Sequence, residues 1–205
     1  MQTGRFWFFA HEYTTIIPMD STLIIVRGVP GSGKSYISSV LAAALGTDAT
    51  VVLDPDAIDM NSSEYRAFSA DLSAQDVDQK FHPFRYLRQQ GYDGILQHKA
   101  VIWNQAFNDF DGFEITVKRM QEFAQQHDVS LRVLVVEVEI DKETARSRIA
   151  QRAAAGGHDV PSEKLNQFVA NYQSFAGRGY DTIVVNGAGD SDESVRSIVD
   201  KLSRL

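Results

Sequence analysis

A three-layer α/β architecture, with helices on both faces of a five-stranded and mainly parallel sheet, is what this chain of 205 residues points to. Short apolar runs alternate with longer amphipathic stretches along most of its length. The first run, Leu23-Ile24-Ile25-Val26, is apolar on both faces, as in a strand buried on both sides of a parallel sheet. Directly behind it lie a glycine-rich loop, Gly28-Val29-Pro30-Gly31-Ser32-Gly33-Lys34-Ser35, and then a helical pattern.

The elements justify themselves in order. From Lys34 to Leu45, Ile37, Val40, Leu41 and Ala44 share one helical face and Gly46 stops the helix. A second strand spans about Thr50 to Leu53. The mostly polar stretch from Asn61 to Asp78 reads as short helices or an excursion over the site, followed by a helix from about Phe84 to His98. Ala100 to Trp103 is the third strand. Phe113 to Gln126 forms a helix with Val117, Met120 and Phe123 on one face, and Asp109-Phe110-Asp111-Gly112 ahead of it reads as a helix start. Leu131 to Val138 is the longest strand. Asp141 to Ala154 is a helix broken by Gly156-Gly157, Ser162 to Phe175 is another, Thr182 to Val185 is the fifth strand, and a closing helix runs from Ser191 to Leu205. No internal repeat, low-complexity tract or linker interrupts this order, so 19–205 reads as one domain. Residues 1–18 read as an N-terminal appendage. Its aromatic cluster Phe6-Trp7-Phe8-Phe9 is interrupted by His11 and Glu12 without a small-residue cleavage site, so no secretory signal is expected.

Composition removes several classes of function. The net charge of −7 disfavours a broad nucleic-acid footprint, which needs clustered Lys and Arg, although a small local basic site stays compatible with it. The absence of cysteine removes disulfides, thiolate metal sites and a Cys nucleophile. No apolar run reaches membrane-spanning length. His residues and acids lack the spacing of a zinc site, and no Ser-His-Asp constellation stands out.

What remains is the loop. Gly28 and Gly33 occupy the first and sixth positions of a Walker A pattern closed by Lys34 and Ser35, with Pro30, Gly31 and Ser32 between them. In that pattern backbone N–H groups and a helix N-terminus cradle phosphate oxygens, the Lys reaches the β- and γ-phosphates, and the Ser hydroxyl ligates Mg²⁺. The fold expected is therefore a P-loop NTPase, the nucleotide a triphosphate such as ATP, and the compartment the ATP-rich cytoplasm.

Other candidates lie at the carboxyl ends of the strands, where ligands gather in open α/β sheets. Asp54-Pro55-Asp56 places two acids after the second strand, one able to serve the metal and the other to take a proton from an attacking hydroxyl. The competing reading is an Asp-Pro turn in which Asp56 caps a helix. The third strand ends in Asn104-Gln105 and lacks a Walker B aspartate. Val51-Val52-Leu53-Asp54 fits that criterion better, so Asp54 serves the metal in addition to, or in place of, Asp56. Asn104 and Gln105 are candidate substrate contacts. Arg148 and Arg152, four apart on one helix, share a face suited to clamping a phosphoryl group. Gly156-Gly157 would hinge a helical lid over about 146–162, with His158 a candidate contact to the acceptor.

Taken together, the Walker loop, Asp54-x-Asp56 and Arg148-xxx-Arg152-xxx-Gly156-Gly157-His158-x-Val160-Pro161 resemble the zeta-toxin-like branch of small P-loop kinases, which is similar to polynucleotide kinases. The matched motifs lie between residues 23 and 175. The resemblance implies a kinase-like fold and an ATP- and Mg²⁺-dependent phosphotransferase in which Lys34 and Ser35 hold phosphate and metal. It also implies Asp56 as the hydroxyl-activating base and Arg148 and Arg152 as stabilisers of transferred charge. In the toxins the acceptor is a UDP-linked amino sugar. This chain departs from them at Ala57-Ile58-Asp59 and at Asn104-Gln105-Ala106-Phe107, where the acceptor would be read. The expectation is a kinase for a small hydroxyl acceptor such as a nucleotide sugar or nucleoside. A polynucleotide 5′-hydroxyl kinase and a nucleotide-binding regulatory protein are the alternatives, and an antitoxin-like partner is left unassigned.

Overall fold

The computed structural model describes residues 20–156 and 159–205, so the appendage call on 1–18 and the His158 call lie outside the described residues. The strands are β1 Ser21–Arg27, β2 Thr50–Leu53, β3 Ala100–Asn104, β4 Leu131–Glu139 and β5 Asp181–Asn186. The helices are α1 Lys34–Leu45, α2 Ser63–Ala74, α3 His82–Leu96, α4 Phe110–Gln126, α5 Lys142–Ala154, α6 Ser162–Asn171 and α7 Ser191–Leu202. The strands form one sheet in the order β2-β3-β1-β4-β5, and every neighbouring pair is parallel. Chain order reverses around β1, which puts the crevice for a ligand at its carboxyl end.

The alternation of β1 builds both cores. Leu23 and Ile25 pack with Leu87 and Ile95 of α3 and Phe113, Val117 and Met120 of α4. Ile24 and Val26 point the other way, onto Ile37 and Leu41 of α1 and Val195 and Ile198 of α7. All four β1 side chains are fully buried, each worth roughly 1.5–3 kcal/mol over exposure. This explains why the run carries no polar residue on either face.

Most boundaries fall within a few residues of the sequence expectation, and two regions differ for physical reasons. The polar stretch after residue 60 folds as one continuous helix, α2, started by Ser62, whose Oγ accepts from the Tyr65 N–H. The helix expected from Ser162 to Phe175 ends at Asn171, because Gln173, Ser174 and Phe175 are bonded to a buried ion pair described below. Asp109 caps α4, its carboxylate accepting from the N–H groups of Asp111 and Gly112. Among the described residues no helix is long and apolar enough to cross a membrane.

Candidate functional site

The loop between β1 and α1 has the shape its glycines require. Gly33, at φ 99°, is the left-handed residue that turns the chain into α1. Unlike α2, α4, α5 and α7, α1 has neither a side-chain cap nor an acid in its first turn, so its first N–H groups are left for an anion. The loop is braced from behind by the turn after β5. A Cβ on Gly187 would stand 2.1 Å from the Ser32 carbonyl oxygen, so only glycine permits this approach. The Gly187 N–H donates to the Glu139 carbonyl at 2.7 Å, and its carbonyl accepts from Arg148 Nη1 at 2.8 Å. Ser32 is completely buried and its Oγ has no hydrogen-bond partner among the described residues.

Strand register assembles the next group. Leu53 pairs with Trp103 across β2 and β3, and Val26 pairs with Asn104 across β1 and β3, so Asp54, Asn104 and the loop meet at one sheet edge. Asn104 Nδ2 donates to Asp54 Oδ2 at 2.5 Å and to Ser35 Oγ at 2.9 Å, and Ser35 Oγ lies 3.5 Å from Asp54 Oδ2. The opposite amide orientation would put an oxygen against a carboxylate, so the NH₂-inward arrangement is the favourable one although it leaves Asn104 Oδ1 buried without a partner. Asp54 Oδ1 meanwhile accepts from the Asp56 N–H at 2.9 Å. The Asp-Pro turn thus exists, a 3₁₀ turn over Pro55–Ala57, but Asp54 caps it rather than Asp56. The Asp56 carboxylate is exposed and has no hydrogen bond among the described residues.

A hydroxyl and a carboxylate are hard oxygen donors, which fits Mg²⁺ bound mainly through phosphates and water. Among the described residues no group of three His, Cys, Asp or Glu forms a protein-only cage.

Lys34 sits within the loop, and its Nζ donates to the Val29 carbonyl at 3.1 Å. Burial pulls its ammonium down to about 8, against the opposing pull of Asp54 and Asp56 and with a smaller downward push from Arg152. The charge is thus held at a cost that an arriving polyphosphate would relieve.

These groups line one cavity of about 1090 Å³. Around it stand Gly31, Gly33, Lys34, Ser35, Asp54 and Asp56, then Asn104, Gln105, Arg148 and Arg152. Two of the predicted residues have prior engagements. Asn104 is turned onto Ser35 and Asp54, and Gln105 Oε1 accepts from Trp103 Nε1 at 3.0 Å. The expected lid segment 146–162 contains residues 157 and 158, outside the described residues, and on either side of them Arg152 and Val160 border the cavity.

The sequence reading missed two features. The first is the wall formed by Phe81, Phe84 and Arg88 near the start of α3 and by Ile115, Thr116 and Arg119 of α4. The i, i+3 and i+4 spacing of these residues was a weak signal of a shared face. The second is Arg27 paired with Glu137, both fully buried and register partners on β1 and β4. Arg27 also donates to the carbonyls of Gln173 at 2.9 Å and Phe107 at 3.1 Å, and its guanidinium lies 3.5 Å from the Phe175 ring centroid. Glu137 accepts from Ser174 Oγ at 2.6 Å and the Phe175 N–H at 2.7 Å. Opposite charges inside two apolar strand runs were the available clue. The pair ties the chain after α6, and the turn after β3 that carries Phe107 at φ 43°, to the strand that feeds the loop.

A family model described as AAA domain matches residues 23–175, which spans β1 to the segment following α6. Structural neighbours include a gluconokinase from Sinorhizobium meliloti, 16% identical with a TM-score of 0.54 over 91% of this chain and 93% of that one. A sugar kinase from Janibacter sp. is 15% identical with a TM-score of 0.57 over 90% and 95%. Deoxyadenosine kinase from M. mycoides is 18% identical with a TM-score of 0.51 over 90% and 100%. At these identities the likeness establishes the fold, a kinase-like parallel α/β sheet. No curated protein sequence matches the chain.

Proposed function

The chain belongs to the AAA-domain family of P-loop NTPases, and from that membership we propose that it is an ATP-dependent phosphotransferase acting on a hydroxyl of a small acceptor. The observation that carries this reading is the divergence of two acids only two residues apart. Asp54 is bonded to Ser35 and Asn104, on the metal side, whereas Asp56 faces the same cavity with its carboxylate unengaged. A second carboxylate facing the cavity supplies the base that transfer to an acceptor hydroxyl requires.

In this reading the loop N–H groups and Lys34 grip the β- and γ-phosphates, and Ser35 and Asp54 hold Mg²⁺. The metal, when bound, neutralises charge on the phosphate oxygens. Asp56 accepts the proton of the acceptor hydroxyl as its oxygen bonds to the γ-phosphorus. The bond from that phosphorus to the β–γ bridging oxygen breaks, and ADP departs with the electron pair. Arg152 and the remaining guanidinium nitrogens of Arg148 stabilise charge on the phosphoryl group in flight. The gluconokinase, sugar kinase and deoxyadenosine kinase neighbours support a small-molecule acceptor. Support for the zeta-toxin-like subtype is the convergence of Asp54-x-Asp56 and Arg148-xxx-Arg152 on one cavity.

The test is Asp56→Asn, read by calorimetric titration with Mg·ATP and by transfer of labelled phosphate. Transfer falls by about two orders of magnitude or more, as for loss of a positioned base, while the ATP dissociation constant changes less than about twofold. Loss of both together would assign Asp56 a structural role and sink the reading.

A further inference from the structure

The chain carries a net charge of −7, yet the cavity wall remote from the loop is cationic. Arg88 of α3 and Arg119 of α4 both line it, and neither is in an ion pair among the described residues. Two other cations of the cavity are committed elsewhere, whereas Lys164 of α6 lines it without an ion pair among the described residues. Lys80 pairs with Asp78 at 2.9 Å and lies over the Phe81 ring, and Arg148 donates to the Gly187 carbonyl. Arg88 is half-buried; burial first, then the charge of Arg119 and more weakly that of Arg85, lowers its pKa against an opposing pull from Tyr92. Two like charges facing one cavity repel unless an anion joins them. The acids present do not supply it. Asp109 is bonded to the N-terminus of α4, Asp54 to Ser35 and Asn104, and Asp56, the third acid lining the cavity, is in no ion pair with either arginine.

Resting on the phosphotransferase reading, we propose that the acceptor alcohol is itself an anion, with a phosphate or carboxylate group seated on Arg88 and Arg119 while its hydroxyl faces Asp56. A guanidinium fork suits either group, because each presents two oxygens to paired N–H donors. The body of the acceptor lies against Phe81, Phe84 and Ile115, which leave 49%, 39% and 50% of their surface exposed around the same cavity. The chemistry selects for a charged tail on a compact, partly apolar frame, and selects against neutral sugars and nucleosides.

The experiment fills the loop first. Binding of a non-hydrolysable ATP analogue with Mg²⁺ is measured alone, and its failure counts against the phosphotransferase reading rather than against this one. With the analogue saturating, three matched pairs are titrated: ribose 5-phosphate against ribose, cytidine monophosphate against cytidine, and gluconate against glucose. The expected result is that at least one anionic member binds about tenfold or more tighter than its neutral mate. The Arg88→Gln/Arg119→Gln variant loses that preference while its affinity for the ATP analogue stays within about twofold, which certifies its fold. The phosphate and carboxylate pairs tell the two anions apart. No preference for any anionic member, or a preference that survives in the variant, overturns the proposal.

Discussion

On the loop side of the cavity Ser35, Asp54, Asn104, Arg148 and Gly187 hold one another through hydrogen bonds, several of them from side chain to side chain. On the α3–α4 side Phe81, Phe84, Ile115 and Arg119 stand exposed, and no side-chain hydrogen bond among the described residues ties them to the loop. The difference follows from what each wall has to meet. A triphosphate and its metal present the same geometry every time, so donors fixed in advance stabilise charge without reorganisation on binding. An acceptor is recognised by shape and charge that vary from one kinase to another, and exposed side chains on a stiff helix can change without disturbing the core.

The comparison breaks most visibly at Lys34. Lys34→Met removes the one cation enclosed by the loop, and phosphate transfer measured with labelled ATP should fall about a thousandfold, the scale of losing a preorganised charge contact, with thermal stability retained. Next comes the brace behind the loop. Arg27→Met leaves Glu137 as an unpaired buried charge and should cost about 3–5 kcal/mol in urea unfolding, whereas the double change Arg27→Met/Glu137→Met recovers most of it. If the single and double variants were equally unstable, the ion pair would not be what holds the segment after α6.

Smaller effects sharpen the picture. Asn104 acts through Ser35 and Asp54, so Asn104→Ala should raise the Mg²⁺ concentration needed for half-maximal activity by about tenfold or more, the usual scale for losing a partner of metal ligands. Acceptor KM at saturating Mg²⁺ should move little, and a large KM change would make Asn104 the acceptor contact its sequence position suggested. Lys34 also gives a pH signature. Its pKa in the free protein is about 8, below the ordinary 10.5, and phosphate favours the charged form and raises it again. Nucleotide affinity should therefore be flat below pH 8 and decline above it. Binding near pH 8 should take up protons, which calorimetry in buffers of different ionisation heat detects; proton release would contradict the assignment. On the opposite wall, Ile115→Ser should change unfolding free energy by less than about 0.5 kcal/mol, as expected for an exposed site, and raise acceptor KM without touching the KM for ATP.

How much of this was legible in the residues depended on whether the signal was local. The sheet could be read because both faces of β1 are buried, which forces a continuous apolar run, and because a phosphate loop needs its glycines, Lys34 and Ser35 in fixed succession. Helix ends were legible where a cap lies in the chain, as with Asp109 ahead of α4. They were not where tertiary bonds override propensity. Tyr172 and Phe175 continue the helical spacing of Leu165 and Phe168 past Asn171, but Glu137, thirty-four residues upstream of Asn171, captures Ser174 and Phe175 and ends the helix. The sequence assigned Asp54 to the metal and Asp56 to the hydroxyl, but the contact that holds Asp54 was invisible, because it comes from Asn104, fifty residues away and brought alongside by strand register. Arg88 and Arg119 belong to two helices whose packing no local pattern announces.

The most direct test of the account is to incubate the protein with Mg²⁺, γ-labelled ATP and a cellular metabolite extract, then follow the label by mass spectrometry, with Asp56→Asn as the control. The account predicts label on a small, negatively charged alcohol, gained as one phosphoryl group and absent with the variant. Label found only in inorganic phosphate, at the same rate in both proteins, would contradict it.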